Sequence, residues 1–192
     1  MKIQALVLAA VVLGGLSALP AKAAPIDLGL CPAVAKALDP NGDGDFSDGD
    51  NAAAMAAAEA CMGQNQGQGL LSKAYVLRRL QKPAEAQVAI EAGLAAGGDP
   101  VVGQRMQCAL HSDAGRYATG REACRKAIAA GPDRPLGYFG LGNLEFAAQQ
   151  WAAAVTAYDG ALQRGSDDAG ILVAKGQALN KLGKRDAALV AF

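Results

Sequence analysis

Twelve residues, Asp39 to Asp50 (DPNGDGDFSDGD), set oxygen-bearing side chains at regular intervals. Asp39, Asn41 and Asp43 stand at the first, third and fifth places, and Gly44 at the sixth, where the chain must turn sharply. Asp45 at the seventh place offers its backbone carbonyl, Ser47 at the ninth can act through a water, and Asp50 closes the ring at the twelfth. Asp48 is read as a solvated carboxylate. Five aspartates in twelve residues repel one another unless a cation neutralises them. Hard carboxylate and carbonyl oxygens in this order suit calcium, in the weak extracellular regime with Kd about 10⁻⁴ to 10⁻³ M. The competing reading, an acidic solvated linker, makes no demand on these positions.

The loop resembles an EF-hand, with Asp at the twelfth place instead of Glu, as in the EF-like loops of dockerins. Asp is one methylene shorter and can bind with one oxygen where Glu binds with two. The resemblance implies a helix on each side. Pro32 to Leu38 supplies the entering helix and Asn51 to about Met62 the exiting one, with Phe46 as apolar anchor. No second loop of this kind follows in the chain.

Little else in the sequence can do chemistry. There is one histidine, His111, and no nucleophile motif, phosphate loop or zinc spacing, so an enzyme is not expected. The four cysteines, Cys31, Cys61, Cys108 and Cys124, allow three pairings. Residues Met1 to Ala23 read as a targeting segment. Lys2 is the basic start, Ile3 to Leu16 the apolar run, and Leu19 to Ala23 a small-residue cleavage site. The apolar run is short for a membrane span. Export to a bacterial periplasm or beyond favours paired cysteines over free thiols. Cys31 precedes the entering helix and Cys61 lies near the end of the exiting one. A bridge between them would contribute roughly 3 to 4 kcal/mol, and so small a segment needs both bridge and metal.

Charge separates the chain into two parts. Residues 24–66 hold one basic and seven acidic side chains, and residues 67–192 hold fifteen basic and eleven acidic. This asymmetry speaks against nucleic acid as the partner. Within the second part, Pro135 to Asp168 reads as two short helices with a turn near Gln149 and Gln150. Tyr138, Leu141 and Gly142 lie on the first helix, and Ala154, Tyr158, Ala161 and Leu162 on the second. These residues at these offsets resemble the tetratricopeptide repeat (TPR). Gly142 and Ala154 are small where two helices would come closest, and the larger residues form an apolar face that one hairpin cannot bury alone.

Stepping by 34 residues finds further units at 67–100, 101–134 and 169–192, the last incomplete. The expected fold is therefore all-α: a superhelix of TPR hairpins preceded by a small EF-hand-like helix-loop-helix over residues 24–66. Cys108 takes the small-residue place of Gly142, and Cys124 takes the aromatic place of Tyr158. Both face one seam, so Cys108–Cys124 is the expected second bridge. His111 is read as a packed core residue.

In TPR arrays the first helices of the hairpins line a concave surface. The resemblance assigns to it Leu71, Tyr75, Arg78 and Arg79 in the first unit, and Arg105, Ala109 and Ser112 in the second. Phe139, Asn143 and Phe146 follow in the third unit, and Val173, Gln177, Asn180 and Lys181 in the fourth. Amides, rings and cations on one face suit an extended peptide or a protein partner. Leu71 and Tyr75 stand where the family's carboxylate clamp has Lys and Asn, so that clamp is not carried over. The expected function is an exported scaffold or adaptor that binds protein, with a structural calcium site. The alternative is a calcium-responsive regulator.

Overall fold

The computed structural model describes residues 27–42, 47–165 and 168–191. The targeting segment, Phe192 and the loop residues Asp43, Gly44, Asp45 and Phe46 lie outside the described residues. Among the described residues the regular elements are ten helices: α1 (Pro32–Leu38), α2 (Asn51–Met62), α3 (Gln66–Arg79), α4 (Pro83–Ala95), α5 (Pro100–Asp113), α6 (Tyr117–Ala130), α7 (Pro135–Ala147), α8 (Trp151–Leu162), α9 (Ala169–Lys181) and α10 (Arg185–Ala191). None of these helices is long and apolar enough to cross a membrane.

The turns inside the four hairpins recur at 34-residue intervals. Gln81, Gly115, Gln149 and Gly183 all adopt left-handed backbone, with φ of 58°, 69°, 59° and 76°. After each, the next amide donates back five residues: Lys82 to Leu77, Arg116 to His111, Gln150 to Glu145 and Lys184 to Leu179, at 2.8–3.0 Å. This double turn ends the first helix and satisfies its last carbonyls. It then reverses the chain, so α3 packs on α4, α5 on α6, α7 on α8 and α9 on α10. Helices α4, α6 and α8 also touch the first helix of the next hairpin, and α5 packs on both α3 and α7.

Hairpin closeness is set by residues sixteen apart. In the third hairpin the ring of Tyr158 occupies the space a side chain at Gly142 would need. In the first hairpin Ala74 and Ile90 are the buried pair at these places. In the second, Cys108 and Cys124 form a disulfide with Cα atoms 5.2 Å apart. A covalent bridge thus stands where the flanking hairpins have packing contacts. The small residues Ala86, Gly120, Ala154 and Ala188 are buried at one place in all four second helices.

Helices α1 and α2 do not stand apart from the array. Leu30, Val34, Leu38, Ala54 and Ala58 belong to the same apolar cluster as Leu71, Ala74, Leu77, Val102 and Met106. A second disulfide, Cys31–Cys61, joins the start of α1 to the last turn of α2, with Cα atoms 6.5 Å apart. Asp50 caps α2, accepting from Ala52 and Ala53 at 2.8 and 3.0 Å.

Two of the four turn residues are glutamines in a conformation that costs an L-residue about 1 kcal/mol. Gln81→Gly and Gln149→Gly should each raise stability by roughly 0.5–1 kcal/mol, and Gly115→Ala should lower it by about 1 kcal/mol. Urea denaturation of the three variants checks the signs.

Candidate binding groove

Helices α3, α5, α7 and α9 present their outer faces side by side, and the polar and aromatic residues expected to bind a partner lie on them. Phe139 and Phe146 are half-buried, while Asn143, Gln177, Asn180 and Lys181 are exposed. The two rings are braced from behind. Phe146 meets Trp151 edge-on at 5.0 Å, and Phe139 lies 6.3 Å from Tyr158. The hydroxyl of Tyr158 donates to the Asn143 side-chain oxygen at 2.9 Å, which orients that amide. Burial raises the Tyr158 phenol well above its usual pKa, so it remains a donor.

The amino-terminal end of this face is different. Leu71 is only 1% exposed and packs beside Gly93 and Gly98, so it is core and not groove, contrary to the sequence expectation. Arg78 was expected to meet a partner. It instead forms a two-pronged pair with Asp113 of the next hairpin, at 2.6 and 3.1 Å. Arg79 donates to Asn51 on α2 at 3.0 Å. These two cations tie elements of the fold together. Arg105 lies beneath the surface at 6% exposure, its guanidinium 6.0 Å from the centroid of the half-buried Tyr75 ring.

The chain before α1 occupies this end of the face. Residues 27–30 are non-helical and cross from α3 to α5. Ser72 Oγ accepts from the Cys31 amide at 2.9 Å, and Gln68 Nε2 donates to the Leu30 carbonyl at 3.5 Å. A side chain at Gly29 would collide with Val102, which stands one repeat after Gln68. Helix α3 thus holds backbone of its own chain through side-chain hydrogen bonds, with Val102 of α5 packed beside it.

Of the calcium-loop residues, Asp39, Asn41, Ser47 and Asp50 are described. The Asp39 carboxylate accepts from the Gly42 amide at 2.7 Å, bending the chain at the loop entry. Both capping bonds of Asp50 use the same oxygen, Oδ1. Among the described residues no three His, Cys, Asp or Glu side chains gather into a metal-binding group.

Sequence reasoning did not anticipate the ion pairs between hairpins. Glu145 is 7% exposed and receives both prongs of Arg121, at 2.7 and 2.8 Å. Arg134 closes on Asp99 at 2.6 Å. The signal for Glu145 was present: it stands where the first and fourth units have Leu77 and Leu179, and a carboxylate in that apolar place needs a counter-charge. His111 holds the same place in the second unit. Its Nδ1 is buried without a partner among the described residues, and desolvation, with Arg116 nearby, lowers its pKa.

A family model, described as tetratricopeptide repeat, matches residues 109–169 and 139–192. No curated protein matches the chain by sequence. Among solved structures, a chain of the APC/C hetero-tetramer Cut9-Hcn1 is similar at 18% identity and a TM-score of 0.61, covering 74% of this chain. This chain spans 29% of the length of that one. PilW, a widely conserved type IV pilus biogenesis factor, is similar at 18% identity and a TM-score of 0.60, over 73% of this chain and 67% of that one. MamA is similar at 18% identity and a TM-score of 0.55, over 79% of this chain and 90% of that one. At such identities the likeness concerns the fold, an α-α superhelix of TPR hairpins.

Glu145 is the buried member of its pair and Arg121 is half-buried, so removing Arg121 should be costly. Arg121→Met leaves the Glu145 carboxylate buried without its counter-charge and should lower stability by about 3 kcal/mol. Arg121→Met combined with Glu145→Leu should recover most of that loss. Denaturant titrations of the single and double variants distinguish the two outcomes.

Proposed function

We propose that this protein is an exported scaffold whose first-helix face binds an extended segment of a partner protein. The observation that carries this reading is the chain's own segment before α1. Gln68 and Ser72 hold its backbone on that face, as side-chain amides and hydroxyls would hold an incoming peptide. Farther along, Phe139 and Phe146 offer half-exposed rings for apolar side chains, beside the exposed amides of Asn143, Gln177 and Asn180. Two disulfides suit an oxidising compartment, in keeping with the targeting character of Met1 to Ala23.

Calcium at Asp39 to Asp50 belongs to the same proposal. Asp39, Asn41, Asp43, Ser47 and Asp50 would supply side-chain oxygens and Asp45 its carbonyl, an all-oxygen set suited to a hard cation. The described members are compatible with it, since Asp50 caps α2 with a single carboxylate oxygen. The ion would act structurally. Both flanking helices are already fixed, by the Cys31–Cys61 bridge and by the core shared with α3, which leaves little room for an opening motion.

Dodecapeptides selected from a random display library on the disulfide-bonded protein test the groove. Phe139→Ala with Phe146→Ala should weaken the selected peptides about tenfold or more. Equal affinity for variant and parent, by fluorescence anisotropy, would remove the groove assignment. For the metal, added calcium should raise the melting temperature of the parent and leave Asp39→Ala with Asp43→Ala unmoved. Peptide affinity that depends on calcium would favour the regulatory reading over the structural one.

A further inference from the structure

Helices α1 and α2 repeat the geometry of the hairpins that follow them. Counted back thirty-two residues, the buried Ala86 and Ile90 of α4 become Ala54 and Ala58 of α2, which are buried too. A Cβ on Gly69 of α3 would meet Met62, as one on Gly103 of α5 would meet Leu94 and one on Gly137 of α7 would meet Ile128. The turn is where the pattern departs. In the first hairpin the Lys82 amide donates five residues back, to Leu77, whereas the Asp50 amide ahead of α2 donates thirteen residues back, to Ala37. Eight extra residues therefore lie in this turn, within the acidic stretch Asp39 to Asp50. Allowing for them, Val34 of α1 stands where Ala74 stands on α3, and both are buried. Cys31 and Cys61 then fall where Leu71 packs beside Gly93.

This leading hairpin is slighter than its successors. Helix α1 has 7 residues where α3 has 14, and the buried residues of α2 are two alanines. Little apolar area secures it, and its long turn favours opening. The Cys31–Cys61 bridge opposes that opening by tying together residues 30 apart in sequence. It is also the bridge a reductant can reach. Cys61 is partly exposed, whereas Cys108 and Cys124 are 1% and 0% exposed. While the bridge is closed, the chain just before α1 stays on α3, held by Ser72 and Gln68.

We propose that α1 and α2 are a fifth hairpin that caps the array, latched by Cys31–Cys61, and that a dithiol reductant opens the latch and frees the α3 end of the face for the partner. This inference rests on the peptide-groove reading and adds the regulation of that groove. One thiolate of the dithiol attacks Cys61 Sγ, the S–S bond breaks, and Cys31 leaves as a thiolate. The second thiol attacks the mixed disulfide, releasing Cys61 and leaving the dithiol as a cyclic disulfide. Two electrons pass to the bridge, and Cys31 and Cys61 each end with one of the dithiol's protons. Without its tether the cap opens more often, and Gln68 and Ser72 exchange their own chain for the incoming one.

Full-length protein with both bridges closed is treated with graded dithiothreitol, and alkylation followed by mass spectrometry identifies which bridge has opened. Cys31–Cys61 should open first, with Cys108–Cys124 intact. In that form hydrogen exchange should be about a hundredfold or more faster in α1 and α2 and unchanged in α7 and α8. Dodecapeptides selected on it should bind it about tenfold or more tightly than they bind the bridged protein. Gln68→Ala with Ser72→Ala should abolish that difference. Cys31→Ala with Cys61→Ala opens the latch without reductant and should reproduce both changes.

Opening of Cys108–Cys124 first overturns the inference. So does exchange in α1 and α2 that stays at the bridged rate once the latch is open, and so does equal peptide affinity for the two forms. If peptides selected on the bridged protein still require Phe139 and Phe146 in that event, the groove stands and its gating alone is removed. If no selected peptide requires either pair, Phe139 and Phe146 or Gln68 and Ser72, the groove reading itself has failed.

Discussion

The structure depends on one steric constraint, the fit of a large residue against a small one across each hairpin. Two helices joined by a short turn can lie close only where one of them lacks bulk. Gly142 supplies the gap in the third hairpin and the Tyr158 ring fills it. Ala74 and Ile90 divide the same volume differently in the first, and in the second Cys108 and Cys124 replace the contact by a bond. A hairpin closed this way still leaves one flank of each helix uncovered. The next hairpin covers it, and the repeat follows from that need.

Stacking in one register brings every first helix to the same side, and the proposed binding face is a consequence of that arrangement. The face is not uniform along its length. At its amino-terminal end α1, α2 and the segment before them share the core of the first two hairpins. That is why Leu71 is buried while Val173, at the equivalent place on α9, is exposed. Arg105 falls between these extremes. It is deep enough to be desolvated, and its Nε meets no acceptor among the described residues.

The repeat was legible in the sequence because its period is kept without insertion. The turn residues 81, 115, 149 and 183 fall at equal steps, and the small places Ala74, Cys108, Gly142 and Gly176 are all buried. Pro32 to Leu38 and Asn51 to Met62 were readable from the proline start and from the alanine run after Asp50. Groove positions were less so. Spacing places a residue on a helix face, but exposure depends on what crosses that face, and the segment before α1 carries no periodic signal. Ion pairs such as Arg78 with Asp113 and Arg121 with Glu145 join different hairpins, and a single helix's pattern does not reveal them.

The central claim is that the aligned first helices form the surface that reads an extended chain. Hydrogen exchange on the protein with and without a saturating selected dodecapeptide tests it most directly. The account predicts added protection concentrated in α5, α7 and α9, with α6, α8 and α10 unchanged. Protection centred on those second helices, or on the turns between helices, would contradict it.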